Sequence, residues 1–96
     1  MYLIFYDIEE DRLRKKTSDC LIYYGYVRLQ LSVFAGPVDP DLFGIWQKLQ
    51  TIIAQSENSK IYSLKISDES FDNIKTIGAF EQDIDYICGR KKSLVI

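Results

Sequence analysis

Six consecutive apolar or aromatic residues, Met1-Tyr2-Leu3-Ile4-Phe5-Tyr6, open the chain and stop at a carboxylate, Asp7. The run is too short for a buried helix and rich in aromatic side chains, so it reads as a strand covered on both faces, in the middle of a sheet. Asp7 then falls at the carboxyl end of a central strand, just before the polar loop Glu9-Glu10-Asp11. That edge is where open α/β sheets gather ligands and chemistry. The other reading is that Asp7 only helps to cap the following helix.

From Asp11 to Tyr24, Leu13, Thr17, Cys20, Leu21 and Tyr24 recur at helical spacing, and Gly25 supplies a left-handed stop. Arg12, Arg14, Lys15 and Lys16 crowd the start of this helix. Cations there oppose the helix dipole, a mild hint of function that stands beside an ordinary solvated face paired with Glu9, Glu10 and Asp11. Tyr26 to Phe34 alternates strictly, predicting one strand with Val27, Leu29, Leu31 and Val33 on one face and Arg28, Gln30, Ser32 and Phe34 on the other. After a turn at 35–38, Asp39-Pro40 predicts a second helix starting near Pro40, with Leu42, Ile45, Trp46, Leu49, Ile52 and Ile53 facing the core. Gln55 to Ser59 ends it, and Lys60 to Ile66 alternates as a third strand. Ser67 to Gly78 fits either a short helical turn around Phe71, Ile74 and Ile77 or a further strand. Asp83 to Arg90 resists placement, and the terminal Ser93-Leu94-Val95-Ile96 is an apolar tail suited to pairing with a sheet edge.

Ninety-six residues, 47% of them hydrophobic, suffice for one two-layer domain and not for two. The domain is expected to span 1–96, with 79–96 as a tail contacting a partner subunit. No apolar run approaches the roughly 20 residues of a membrane helix, and the N-terminus lacks a signal peptide's cationic region, so a cytoplasmic protein without membrane contact is expected. Cys20 and Cys88 lack a CxxC spacing and read as free thiols. The net charge of -2 conceals basic clusters at Arg12, Arg14, Lys15, Lys16 and Arg28 and at Arg90, Lys91 and Lys92, suited to a polyanion. There is no histidine, which excludes Ser-His and Cys-His nucleophiles and a histidine base. Any catalysis falls to carboxylates, tyrosines or a metal.

A β-α-β-β-α-β order suggests the α+β ferredoxin-like sandwich, an antiparallel sheet with two helices on one face. Its other face is bare. Arg28, Gln30, Ser32 and Phe34 are expected there, against water or a second subunit, and the apolar first strand favours a subunit.

Tyr6-Asp7-Ile8 closing the first strand, Arg12-Leu13-Arg14-Lys15 opening the helix, Tyr24-Gly25 at its end and Arg28-Leu29-Gln30-Leu31-Ser32-Val33-Phe34 with Gly36 resemble the small universal adaptation protein of CRISPR systems. The resemblance covers residues 1 to about 66, with the remainder following in outline through Ile77-Gly78 and the apolar tail. It implies a ferredoxin-like homodimer, sheet faces together, that joins copies of an integrase during spacer capture. Some members are described as metal-dependent endonucleases acting on RNA or double-stranded DNA. By the motif, Asp7 carries over as the metal-binding or catalytic carboxylate, Tyr6 as its neighbour, Arg14, Lys16 and Arg28 as basic site residues, and Phe34, with Ser32 nearby, as support beside the interface. Lys16 departs from an arginine of relatives, keeping the charge without bidentate phosphate binding.

One carboxylate per chain holds Mg2+ poorly, whereas a two-fold axis brings two Asp7 to one ion. If the two Asp7 approach across the interface, a shared ion would polarise a phosphoryl oxygen and lower the pKa of an attacking water, with Arg14, Lys16 and Arg28 expected on the scissile phosphate. Arg12, Arg14, Lys15, Lys16, Lys91 and Lys92, doubled by symmetry, are the expected contacts to duplex DNA or RNA. Two other readings stand: a toxin-like ribonuclease of the virulence-associated type, and a ferredoxin-like regulatory domain without enzymatic activity.

Overall fold

The apolar opening run forms strand β1 (Tyr2–Asp7), the second from one edge of a four-stranded antiparallel sheet. The structure is a computed structural model and describes residues 1–78. The tail expected at 79–96, with Cys88, Arg90, Lys91, Lys92 and Leu94 to Ile96, lies outside the described residues. Helix α1 spans Asp11–Tyr23 and buries Leu13, Thr17, Ser18 and Leu21. Its end is closed by Gly25 at φ 90°, where the Tyr26 N–H reaches the Leu21 carbonyl and the Gly25 N–H that of Ile22. That pair of bonds satisfies carbonyls a helix end otherwise leaves open.

The long alternating stretch departs from expectation. It folds as two strands, β2 (Val27–Gln30) and β3 (Val33–Gly36), joined at Leu31-Ser32 with a register irregularity between Arg28 and Gln30. Nothing in Leu31-Ser32 carries the Asn-Gly or Gly signature of a tight hairpin, and alternation persists through the turn, so the pattern reads as one strand. The hairpin supplies the missing element of the βαββαβ order. Strand β4 (Lys60–Lys65) completes the sheet as β2-β3-β1-β4, the ferredoxin-like arrangement.

Helix α2 (Ile45–Ile53) begins five residues later than predicted. Asp39 does cap, but a turn: its carboxylate accepts the Asp41 N–H at 2.9 Å and its carbonyl the Leu42 N–H. Phe43 and Gly44 then take positive φ, 58° and 70°, which halts the helix before it restarts at Ile45. Ser67 caps a short α3 (Asp68–Asp72), settling the 67–78 ambiguity in favour of helix for its first part.

Alternation along β1 sends Ile4 and Tyr6 toward α1 and α2, where they pack with Leu13, Leu21, Phe34, Ile45 and Leu49. Leu3 turns the other way, and Phe71 of α3 covers it together with Val27, Leu29 and Ala35. The outer face is therefore half covered, not bare. Phe5, which stacks on Tyr62 at 5.0 Å, and Leu64 lie on the half that no other described element covers. The faces of the hairpin are also reversed from expectation. Phe34 is fully buried on the helix side beside its cross-strand partner Ile4, and Arg28, opposite Phe34, shares that side.

Candidate nucleic-acid site

The site forms where β1 ends. Tyr6 points inward and is buried, its hydroxyl donating to the Leu31 carbonyl at 3.3 Å and its N–H to the Ser32 carbonyl at 3.1 Å. Two bonds from one residue thus pin the β2–β3 turn to the central strand. Burial pushes the Tyr6 phenol above its ordinary value, opposed by the charge and N–H groups of Arg28 and then by Arg14. The phenol is neutral at physiological pH, a donor and not a base. Asp7, the next residue, is exposed and sits opposite Lys60 in the ladder.

The basic start of α1 divides. Arg14 turns back over the β1–α1 loop, donating to the carbonyls of Ile8 at 2.9 Å and Glu9 at 3.0 Å and pairing with Asp11. It fixes the loop that follows Asp7. Lys15 pairs with Asp19 at 2.9 Å one turn on, an exposed contact worth little energetically. Arg12 reaches Gln55 beyond α2, beside the Ser56 hydroxyl that donates to Glu10. Lys16 is exposed and, like Arg12, does not line the cleft.

Arg28 approaches from β2. Its guanidinium lies 5.2 Å from the centre of the Phe34 ring, so Phe34 supports a site residue from below, as a buried platform and not on the bare face. The Arg28 Nε is buried and has no hydrogen-bond partner among the described residues. A buried donor left without a partner costs free energy.

Tyr6, Asp7, Arg14, Lys15, Arg28 and Ser32 thus meet around one open cleft of about 700 Å3 between α1 and the hairpin. Arg12, Lys16 and Phe34 stand outside its lining, and Lys91 and Lys92 lie outside the described residues. Ser18, Asp19, Ile22 and Leu31 line it without having been singled out from sequence. Ser18 and Ile22 follow Arg14 at four-residue steps, so helical spacing places them on its flank once that flank is known. Leu31 had no such signal, because the turn that displays it was hidden in the alternation.

Asp7 offers a hard oxygen donor of the kind Mg2+ takes. Among the described residues no three acidic, cysteine or histidine side chains group to hold an ion. Cys20 is a partly buried free thiol, and no helix among the described residues is long and apolar enough to cross a membrane.

The chain is thus a ferredoxin-like sandwich with a carboxylate at the carboxyl end of its central strand and a cleft lined by Arg14, Lys15 and Arg28 beside it. The model of the family described as CRISPR associated protein Cas2 matches residues 1–74. The CRISPR-associated endoribonuclease Cas2 2 of Pyrobaculum aerophilum is 35% identical over 79 residues, covering 81% of this chain and 87% of that protein. The CRISPR-associated endoribonuclease Cas2 3 of Synechocystis sp. is 36% identical over 78 residues, covering 81% and 84%. A crystal structure of a hypothetical protein, TT1823 from Thermus thermophilus, matches with a TM-score of 0.59 at 25% identity, over 84% of this chain and 93% of that one. The chain belongs to the CRISPR associated protein Cas2 family. The toxin-like and regulatory readings give way to it.

Proposed function

We propose that this protein is a cytoplasmic CRISPR adaptation subunit that acts as a two-fold dimer, binds RNA or duplex DNA, hydrolyses phosphodiester bonds with a divalent cation, and bridges the integrase during spacer acquisition. The observation that carries the reading is the exposed Asp7 at the mouth of a cleft lined by Arg14, Lys15 and Arg28. The names of the relatives, endoribonucleases, support the reaction class.

Phe5, Tyr62 and Leu64 leave apolar surface beside Asp7 on the same sheet face, and joining two copies there brings the two Asp7 toward one axis. Their carboxylates would hold Mg2+ or a similar ion, which supplies Lewis-acid polarisation and a more acidic water. Arg28, already stacked on Phe34, offers the charge of its guanidinium to a phosphate oxygen, and Arg14 and Lys15 offset charge developing on the phosphoryl group. Tyr6 contributes by position: it fixes the Leu31-Ser32 turn, and so the hairpin wall, against the strand that bears Asp7.

A scaffold without cleavage is the second reading, favoured by the engagement of Arg14 and Lys15 in ion pairs within the chain. Cleavage of RNA and duplex DNA, followed across Mg2+ concentration with unmodified protein and Asp7→Asn, tests the proposal. Asparagine keeps the shape and removes the charge, so cleavage is expected to fall at least about a hundredfold while the fold persists. Unchanged cleavage removes Asp7 from the mechanism. Spacer integration with the partner enzyme, retained by Asp7→Asn after cleavage is lost, assigns adaptation to the scaffold role.

A further inference from the structure

Two large apolar side chains stand in water on the walls of the cationic cleft. Leu31, at the hairpin turn, is 82% exposed, and Ile22, on the last turn of α1, is 54% exposed. Leaving a leucine in water forfeits its burial energy, yet the backbone here is held in place: Tyr6 bonds the carbonyls of both Leu31 and Ser32. The turn is fixed through its main-chain carbonyls, which leaves the Leu31 side chain free to face outward. The same cleft is lined by Arg28, Arg14, Lys15 and Ser18, with Asp19 paired to Lys15. The cleft therefore combines two chemistries, cations for an anion and aliphatic side chains for a flat apolar face. Its volume of about 700 Å3 lies within the roughly 300–1,000 Å3 typical of pockets for small ligands. One nucleotide presents that combination, a phosphate at one end and a base with two apolar faces at the other.

We infer that the cleft of each chain holds one unpaired nucleotide, its phosphate on Arg28 and Arg14 beside Asp7 and its base between Leu31 and Ile22, which makes these two residues determinants of substrate choice. The inference rests on the nucleic-acid reading above and extends it to residues that carry no charge. In a duplex each base is covered by its stacked neighbours, so the walls gain a face only after that base is unstacked, at a free-energy cost. Contacts of Arg28 with phosphate carry no such condition and serve single and double strands alike. The walls discriminate and the cations do not.

The test uses the full chain carrying Asp7→Asn, so that binding is read without cleavage. Affinities are measured by fluorescence anisotropy for a short single-stranded RNA, the same sequence as single-stranded DNA, the corresponding blunt DNA duplex, and a single strand with one abasic residue. Adding Leu31→Ser or Ile22→Ser changes exposed side chains, and the Tyr6 bonds, which end on backbone carbonyls, remain. Each substitution is expected to weaken single-strand binding about five- to tenfold, the lower range for loss of one base contact, and duplex binding less than twofold. Arg28→Ala is expected to weaken both. Equal loss on RNA and DNA single strands marks the base as the feature held, while a larger loss on RNA adds the ribose to it. Equal weakening of single strand and duplex by Leu31→Ser, or no weakening of either, overturns the inference and leaves the cationic site standing. Absence of binding to every probe overturns both. Conversion of the Leu31→Ser variant to a monomer would assign the side chain to a subunit contact and contradict the base-holding role.

Discussion

Tyr26 and Gly36 show how tightly single residues set this fold. A Cβ at Gly36 would lie 2.9 Å from Tyr26 Cδ1 and 3.3 Å from its Cα, so glycine lets the end of β3 close against the ring. Gly36→Ala is expected to lower stability by about 1–3 kcal/mol through overpacking, read from the urea midpoint. The Tyr26 phenol donates to the Val38 carbonyl. Burial first, then the charge of Asp39 and the nearby Tyr2 and Cys20, push its pKa up to about 12. A raised phenol pKa means that the folded state holds the proton more firmly. The stabilisation is full below the ordinary value near 10 and disappears as pH rises from there through about 12. Tyr6 is shifted in the same direction. Tyr26→Phe should cost about 1 kcal/mol at neutral pH, from the lost hydrogen bond, and flatten the alkaline decline, with Tyr6 maintaining part of it. Urea titrations at neutral pH and across the alkaline window measure both effects, and a decline of unchanged steepness would exclude Tyr26 as its source.

The elements were legible in proportion to how far local chemistry decides them. The apolar run of β1 and the spacing of Leu13, Thr17 and Leu21 specified a strand and a helix to within a residue, because burial on those faces admits no other period. The hairpin was not legible, since period-two alternation runs through Leu31-Ser32 and its register is set by Tyr6, a residue far away in sequence. The same long-range bonding hid part of the site: the alternation correctly grouped Arg28 with Phe34 but could not say which face the helices cover. The start of α2 departs from the sequence pattern for a local reason, the left-handed pair Phe43-Gly44 interrupting the run that Asp39-Pro40 opens. Nothing lies within 4 Å of a Cβ built at Gly44, so Gly44→Ala isolates backbone strain from packing. It is expected to cost about 1–2 kcal/mol, and a thermal midpoint equal to that of the unmodified chain would show that the turn relaxes without it.

At the scale of the whole molecule, Asp7 stands on the outer sheet face, where α3 leaves Phe5, Tyr62 and Leu64 uncovered. Tyr62 and Leu64 are 47% and 49% exposed, so a charge there is tolerated by a monomer and opposed by a two-fold contact. Tyr62→Lys, Leu64→Lys or their combination should give a folded monomer by sedimentation, with unchanged circular dichroism. A variant still fully dimeric would move the contact elsewhere. The proposed dimer matters because one chain brings a single Asp7 to a proposed centre built from two. Mixed dimers, purified with two different tags so that one chain is unmodified and the other carries Asp7→Asn, separate a shared centre from two independent ones. Their rate of phosphodiester cleavage is the direct measurement. A shared centre predicts mixed dimers as inactive as the doubly substituted protein, whereas roughly half the unmodified rate would mean that each chain works alone, contradicting the two-chain site.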